Sequence, residues 1–102
     1  MTSFHYAECR QRRQSFIEEN IGDGEIIDSF VVDRGHPGGA ELHSVTDTGL
    51  IIITSVETGV LITELIARPE QLRRLYRLEN REPPKWLLRR AYKHNYERYN
   101  EQ

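Results

Sequence analysis

The chain has 102 residues, 37% of them hydrophobic and 29% charged, with a formal net charge of −2. That length makes one domain, residues 1–102, with enough buried surface to fold without a metal or a disulfide. A lone cysteine, Cys9, excludes an intramolecular disulfide and a multi-cysteine metal site, and the longest apolar run, Leu50 to Ile53, is far short of the roughly 20 residues that cross a bilayer.

Ser3 stands where a helix N-cap would, and Tyr6, Cys9, Phe16 and Ile17 recur at helical spacing with Arg13 filling a gap, which predicts a first helix to about Asn20. Gly22 and Gly24 end it. Glu25 to Asp33 is dominated by β-branched and aromatic residues and reads as a strand, followed by a Gly- and Pro-rich loop over 34–39. Ala40–Thr46 and Leu50–Ser55 flank a tight Asp47-Thr48-Gly49 turn. After a second turn at 56–59, Val60–Ala67 reads as a fourth strand. Connections this short impose antiparallel neighbours and hence a meander. Leu50–Ile53 is apolar on both faces, the mark of a central strand with helix on one side and other structure on the other.

Pro69 and Glu70 suit the first turn of a helix that runs to about Asn80, with Leu72, Leu75 and Tyr76 on one face and Arg73, Arg74 and Arg77 on the other. Glu82-Pro83-Pro84 breaks it. A last helix, Pro84 to about Asn100, carries Leu88, Tyr92, Tyr96 and Tyr99 near four-residue spacing, with Trp86 and Leu87 at its start. That tyrosine stripe is expected to dock on the sheet with its hydroxyls wet. The expected fold class is α+β: a four-stranded antiparallel meander, an N-terminal helix and two C-terminal helices, with helices over one face of the sheet.

The opening residues hold neither an apolar run nor a small-residue cleavage site, so no signal peptide is expected and the chain reads as cytoplasmic, with no membrane partner. Charge is unevenly spread. Residues 1–67 carry four basic and eleven acidic side chains, whereas residues 68–102 carry ten basic and five acidic. Such an asymmetry fits a polyanion such as RNA, an acidic protein partner or a homo-oligomer, and it also fits two ordinary solvated helix faces.

Three groups of side chains have the types that chemistry needs. His43 lies two residues from Glu41 in a strand, so both project from one face. The pair fits a base with an orienting carboxylate, or two metal ligands with His36 as a third if its loop folds back. No feature of the spacing is distinctive of a metal, so neither a metal nor another cofactor is assigned, and a hydrogen-bonded strand histidine explains His43 as well. His5 and His94 are expected on the surface, and Cys9 as a buried thiol. Arg68 follows the fourth strand and is held extended by Pro69, which suits a phosphate clamp; pairing with Glu70 or a sheet-edge carboxylate is the alternative. The third group is basic. Arg73, Arg74, Arg77 and Arg81 lead into Lys85, Arg89, Arg90 and Lys93, interleaved with Tyr76, Trp86, Tyr92, Tyr96 and Tyr99. Charge for phosphates beside rings for bases is the footprint of single-stranded nucleic acid binding. No P-loop, GxGxxG, HExxH, GxSxG or CxxC pattern is present, which removes most of the case for nucleotide hydrolysis, dinucleotide redox and serine hydrolase chemistry.

Thr58-Gly59-Val60-Leu61-Ile62-Thr63, followed by Ile66-Ala67-Arg68-Pro69, resembles the strand-turn-strand closing of small toxin ribonucleases of the broad barnase, EndoU and RelE-like group. Over about residues 25 to 77 the chain is also similar to short proteins of bacterial phages and mobile elements, with a His-Gly-rich loop, a Glu-x-His strand and an Ile-Ala-Arg-Pro ending. The resemblance implies metal-independent transesterification at a ribose 2′-hydroxyl. His43 would be the acid/base, Thr63 a hydrogen-bond donor, Arg68 the phosphate stabiliser and His36 a second histidine. The leading expectation is a small interaction protein of phage or mobile-element origin that dimerises through aromatic and charge-complementary surfaces. The alternatives are a toxin-like ribonuclease and a non-catalytic RNA- or DNA-binding module.

Overall fold

Seven elements follow one another as α1 (Thr2–Asn20), β1 (Ile26–Val32), β2 (Glu41–Thr46), β3 (Leu50–Ser55), β4 (Leu61–Ile66), α2 (Pro69–Arg77) and α3 (Lys85–Asn100). The computed structural model describes residues 2–33, 35, 37 and 39–100, with the side chains of 2–10 and 98–100 set aside. The expectations placed on His36, on Arg34 and Gly38 beside it, and on the side chains of Ser3, His5, Tyr6, Cys9 and Tyr99 fall outside those residues. The four strands form one antiparallel sheet in the order β1-β2-β3-β4, the meander that the short connections require.

Side-chain alternation divides the sheet into two unlike faces. Phe30 lies opposite His43, His43 opposite Ile53, and Ile53 opposite Thr63, so these four share one face. Val45 and Ile51 continue that face, and with Phe30 and Ile53 they pack against Leu72, Leu75 and Tyr76 of α2 and Leu87 and Ala91 of α3. Leu50 and Ile66, paired on the other face, meet Phe16 and Ile17 of α1 in a smaller cluster. Helices therefore cover both faces, which corrects the expectation of helices over one face. Leu50 and Ile51 are both buried because each belongs to a different layer.

α1 ends as expected, with Ile21 and Gly22 N–H groups donating to the Ile17 carbonyl at 3.0 and 2.9 Å and Gly22 at φ 79°. Asp47 accepts from Glu25 N–H at 2.9 Å while its own N–H donates to Glu25 O at 2.8 Å, so the α1–β1 loop is bonded to the β2–β3 turn. Gly24 fits between them at φ +72°, where a Cβ would stand 2.5 Å from Asp47 Oδ1. No helix among the described residues is long and apolar enough to cross a membrane.

α3 corrects two further expectations. Its buried face is Leu87 and Ala91, while Tyr92 and Tyr96 are 58% and 72% exposed, so the tyrosine stripe does not dock on the sheet. Polar side chains complete the docking. Asn95 Nδ2 donates to Ala67 O at 2.9 Å and to Ala91 O at 2.6 Å, and Arg90 donates to Asp47 O. His94 is not a free surface residue: its Nε2 lies 2.8 Å from Thr48 O, and since a carbonyl only accepts, Nε2 carries the proton. One leucine, an alanine and polar side chains hold this helix down, which is why a stripe of tyrosines points to the wrong side.

Candidate nucleic-acid interface

The termination of α2 builds a charged groove open to solvent. Asn80 adopts a left-handed φ of 54°, Arg81 N–H returns to Tyr76 O at 3.0 Å, and Asn80 N–H to Arg77 O at 3.0 Å. This is the Schellman pattern with asparagine in the place glycine more often takes. It turns the chain back so that Arg81 lies against β1. A register shift between Ile26 and Asp28 brings Asp28 opposite Val45, on the face that α2 covers. There Asp28 accepts from Tyr76 Oη at 2.5 Å and from Arg81 Nη2 at 3.1 Å. The Arg81 guanidinium also stands 5.0 Å from the Tyr76 ring centre and 5.6 Å from that of Phe30. Burial, then the bond to Asp28, push the Tyr76 hydroxyl well above the usual phenol range, and bonds to Asp28 and Glu79 raise Arg81. Both groups keep their protons throughout the physiological range, so this clasp is structural.

Beside the clasp, Arg73 and Arg77 of α2, Arg81, Glu82 and Pro83 of the connection, and Lys85 and Leu88 of α3 line a groove of about 330 Å³. Arg73 and Arg77 are one helical turn apart and project to the same side. Arg81 is committed to Asp28 and Glu79, but among the described residues no carboxylate pairs with Arg73, Arg77 or Lys85. Three cations without an ion pair among the described residues therefore line one concave surface, against the single carboxylate of Glu82. Arg74 and Arg89 are exposed nearby. Arg90 and Lys93 have other partners: Arg90 stacks 5.4 Å from the Trp86 ring centre besides bonding Asp47 O, and Lys93 lies 4.0 Å from Glu97. Of the seven cations in the basic run assigned to nucleic acid, the structure gathers Arg73, Arg77 and Lys85.

The sheet residues are placed differently. His43 is 5% exposed, and its Nε2 lies 3.1 Å from Glu41 Oε1. Thr63 shares its cross-strand row, with Ile53 between them, and its Oγ1 accepts from Arg13 Nη2 at 3.3 Å. Arg68 stands beyond the far end of β4, five residues of extended chain from Thr63, on the order of 16 Å. It is exposed, and its N–H donates to Gln71 Oε1 at 2.9 Å. His43 and Thr63 thus share a face, while Arg68 is not brought to them. Among the described residues, no group of three or more His, Cys, Asp or Glu is arranged to hold a metal ion.

Asp28 is the member of this region that sequence reasoning missed. A lone carboxylate between Ile27 and Ser29 in an otherwise apolar strand was a signal, but its partners lie 48 and 53 residues away. No family model, curated protein or solved structure matches the chain.

Proposed function

We propose that this chain is a nucleic-acid-binding module without catalysis, seating a phosphate backbone in the groove between α2 and α3. The observation that carries this reading is the convergence of Arg73, Arg77 and Lys85 without a carboxylate partner, on a chain whose first two-thirds are acidic. Arginine forks match phosphate oxygens in pairs, and a cation already neutralised by a neighbour contributes little to such binding. The acidic body opposes non-specific adhesion elsewhere and so confines a polyanion to this face. His43 supports the same reading from the other side, since its burial keeps an incoming phosphodiester away from the ring.

The test is fluorescence anisotropy with labelled 12-nucleotide RNA and DNA at increasing salt. Arg73→Glu with Arg77→Glu should weaken binding at least about 10-fold, and affinity should fall steeply with salt. Both arginines are exposed, so the double variant should melt like the parent. Unchanged affinity in that variant, or capture of acidic peptides in place of nucleic acid, overturns the proposal.

A further inference from the structure

We infer that the exposed ridge of α3 beside this groove is a stacking platform for unpaired bases, so that the ligand is single-stranded. This rests on the groove reading and narrows it to one class of nucleic acid.

The helix geometry makes the case. α3 rests on the sheet through Leu87 and Ala91, with His94 and Asn95 bonded to carbonyls of the β2–β3 turn and of the chain after β4. At 100° per residue, Lys85, Arg89, Tyr92 and Tyr96 fall together on a narrow stripe away from that contact. Leu88, one turn before Tyr92, lines the groove, so the stripe borders the cationic surface. The core is filled without these tyrosines: Tyr76 is 1% exposed, while Tyr92 and Tyr96 are 58% and 72% exposed.

A single exposed aromatic needs no explanation. Two on one ridge, following Lys85 and Arg89 and adjoining Arg73 and Arg77, address both parts of a nucleotide: phosphate at the charges, base at the rings. A duplex presents phosphates to this surface and hides the faces of its bases. Only a single strand engages Tyr92 and Tyr96 while its backbone follows Lys85, Arg77 and Arg73. From Lys85 to Tyr96 the ridge is about 16 Å long, enough for roughly four to five nucleotides at a stacked rise of 3.4 Å. Three phosphate contacts would give a salt slope near −2.

Full-length protein should be titrated by anisotropy with labelled oligo(U), oligo(dT) and a duplex of equal length, with inorganic polyphosphate as competitor. Single strands should bind more tightly than the duplex. Tyr92→Ala should weaken single-strand binding about 10-fold, with Tyr96→Ala adding to it, and leave duplex and polyphosphate binding unchanged. Tyr92→Phe should retain the parent affinity. Equal affinity for single strand and duplex, or a Tyr92→Ala variant that binds oligo(U) as the parent does, refutes the stacking platform. If Arg73→Glu with Arg77→Glu still abolishes binding in that event, the groove reading stands alone. If that variant also binds normally, both fall. A difference between the oligo(U) and oligo(dT) arms reports sugar preference within the same class.

Discussion

His43 with Glu41 and the groove of Arg73, Arg77 and Lys85 are two polar regions with opposite circumstances. The sheet pair has the residue types of proton transfer, but His43 is 5% exposed in a central strand and lies against Glu41. The groove lacks a histidine and holds one carboxylate, Glu82, beside its cations, and it is concave, charged and open. A side chain's repertoire counts only where a ligand can reach it, and here access and repertoire are separated. The first region is enclosed structure, and the second is where binding is proposed.

The strongest challenge to that division comes from Tyr76, whose ring belongs to the core under the sheet and whose hydroxyl donates to Asp28, the partner of Arg81 at the groove. Tyr76→Ala should cost about 3–5 kcal/mol in urea unfolding, the usual cost of removing a large buried ring. A loss below 1 kcal/mol would show that the clasp is not part of the core. Tyr76→Phe retains the ring and removes only the bond to Asp28. About 1–2 kcal/mol is expected, as for a hydrogen bond to a charged acceptor, with nucleic acid affinity close to that of the parent.

His43→Gln tests the other region. It should lower stability by about 1 kcal/mol and leave binding untouched. RNA incubated with parent or variant should stay intact on a sequencing gel; cleavage by the parent that the variant lacks would move the function to the sheet.

The smallest effect concerns Glu64 on the α1 side. Burial first, then Asp23 and Glu18, raise its carboxyl above the usual value of 4.5, while Arg13 opposes them. A raised carboxyl binds its proton more tightly in the folded state, so ionisation costs stability as pH rises from 4.5 through the folded value. Glu64→Gln should therefore gain on the parent at pH 7 and not at pH 4. Solvent screening keeps the gain under about 1 kcal/mol. Equal differences in melting temperature at the two pH values would refute the assignment.

Much of the fold was legible because its signals are local. β3 begins and ends where its turn and its run of isoleucines place it, and α2 buries the Leu72, Leu75 and Tyr76 face that its spacing indicates. α3 was misread because tyrosine scores as apolar, whereas Ala91 and Asn95, which make the contact, carry little signal of their own. The helix over each face was hidden for a related reason. Leu50–Ile53 announces burial on both sides but not which helix supplies each cover. The basic run announced the groove, but Arg81 looked like its neighbours until the fold brought Asp28 against it.

The clasp also orders events in time. Asp28 and Arg81 are separated by 53 residues, which take roughly 3–10 s to synthesise at 5–20 residues per second. All four strands are made before α2 begins, so on the ribosome the face carrying Phe30, Val45 and Ile53 has no cover for part of that interval. β1 is an outer strand throughout, with an unpaired edge beside that apolar surface. A nascent chain stalled before Asn80 would present both together, the combination that invites association between neighbouring chains on one message. The turn at Asn80 brings α2 and Arg81 onto this face, and Leu87 and Ala91 of α3 complete its cover, so the chain is safe to release only once α3 has emerged.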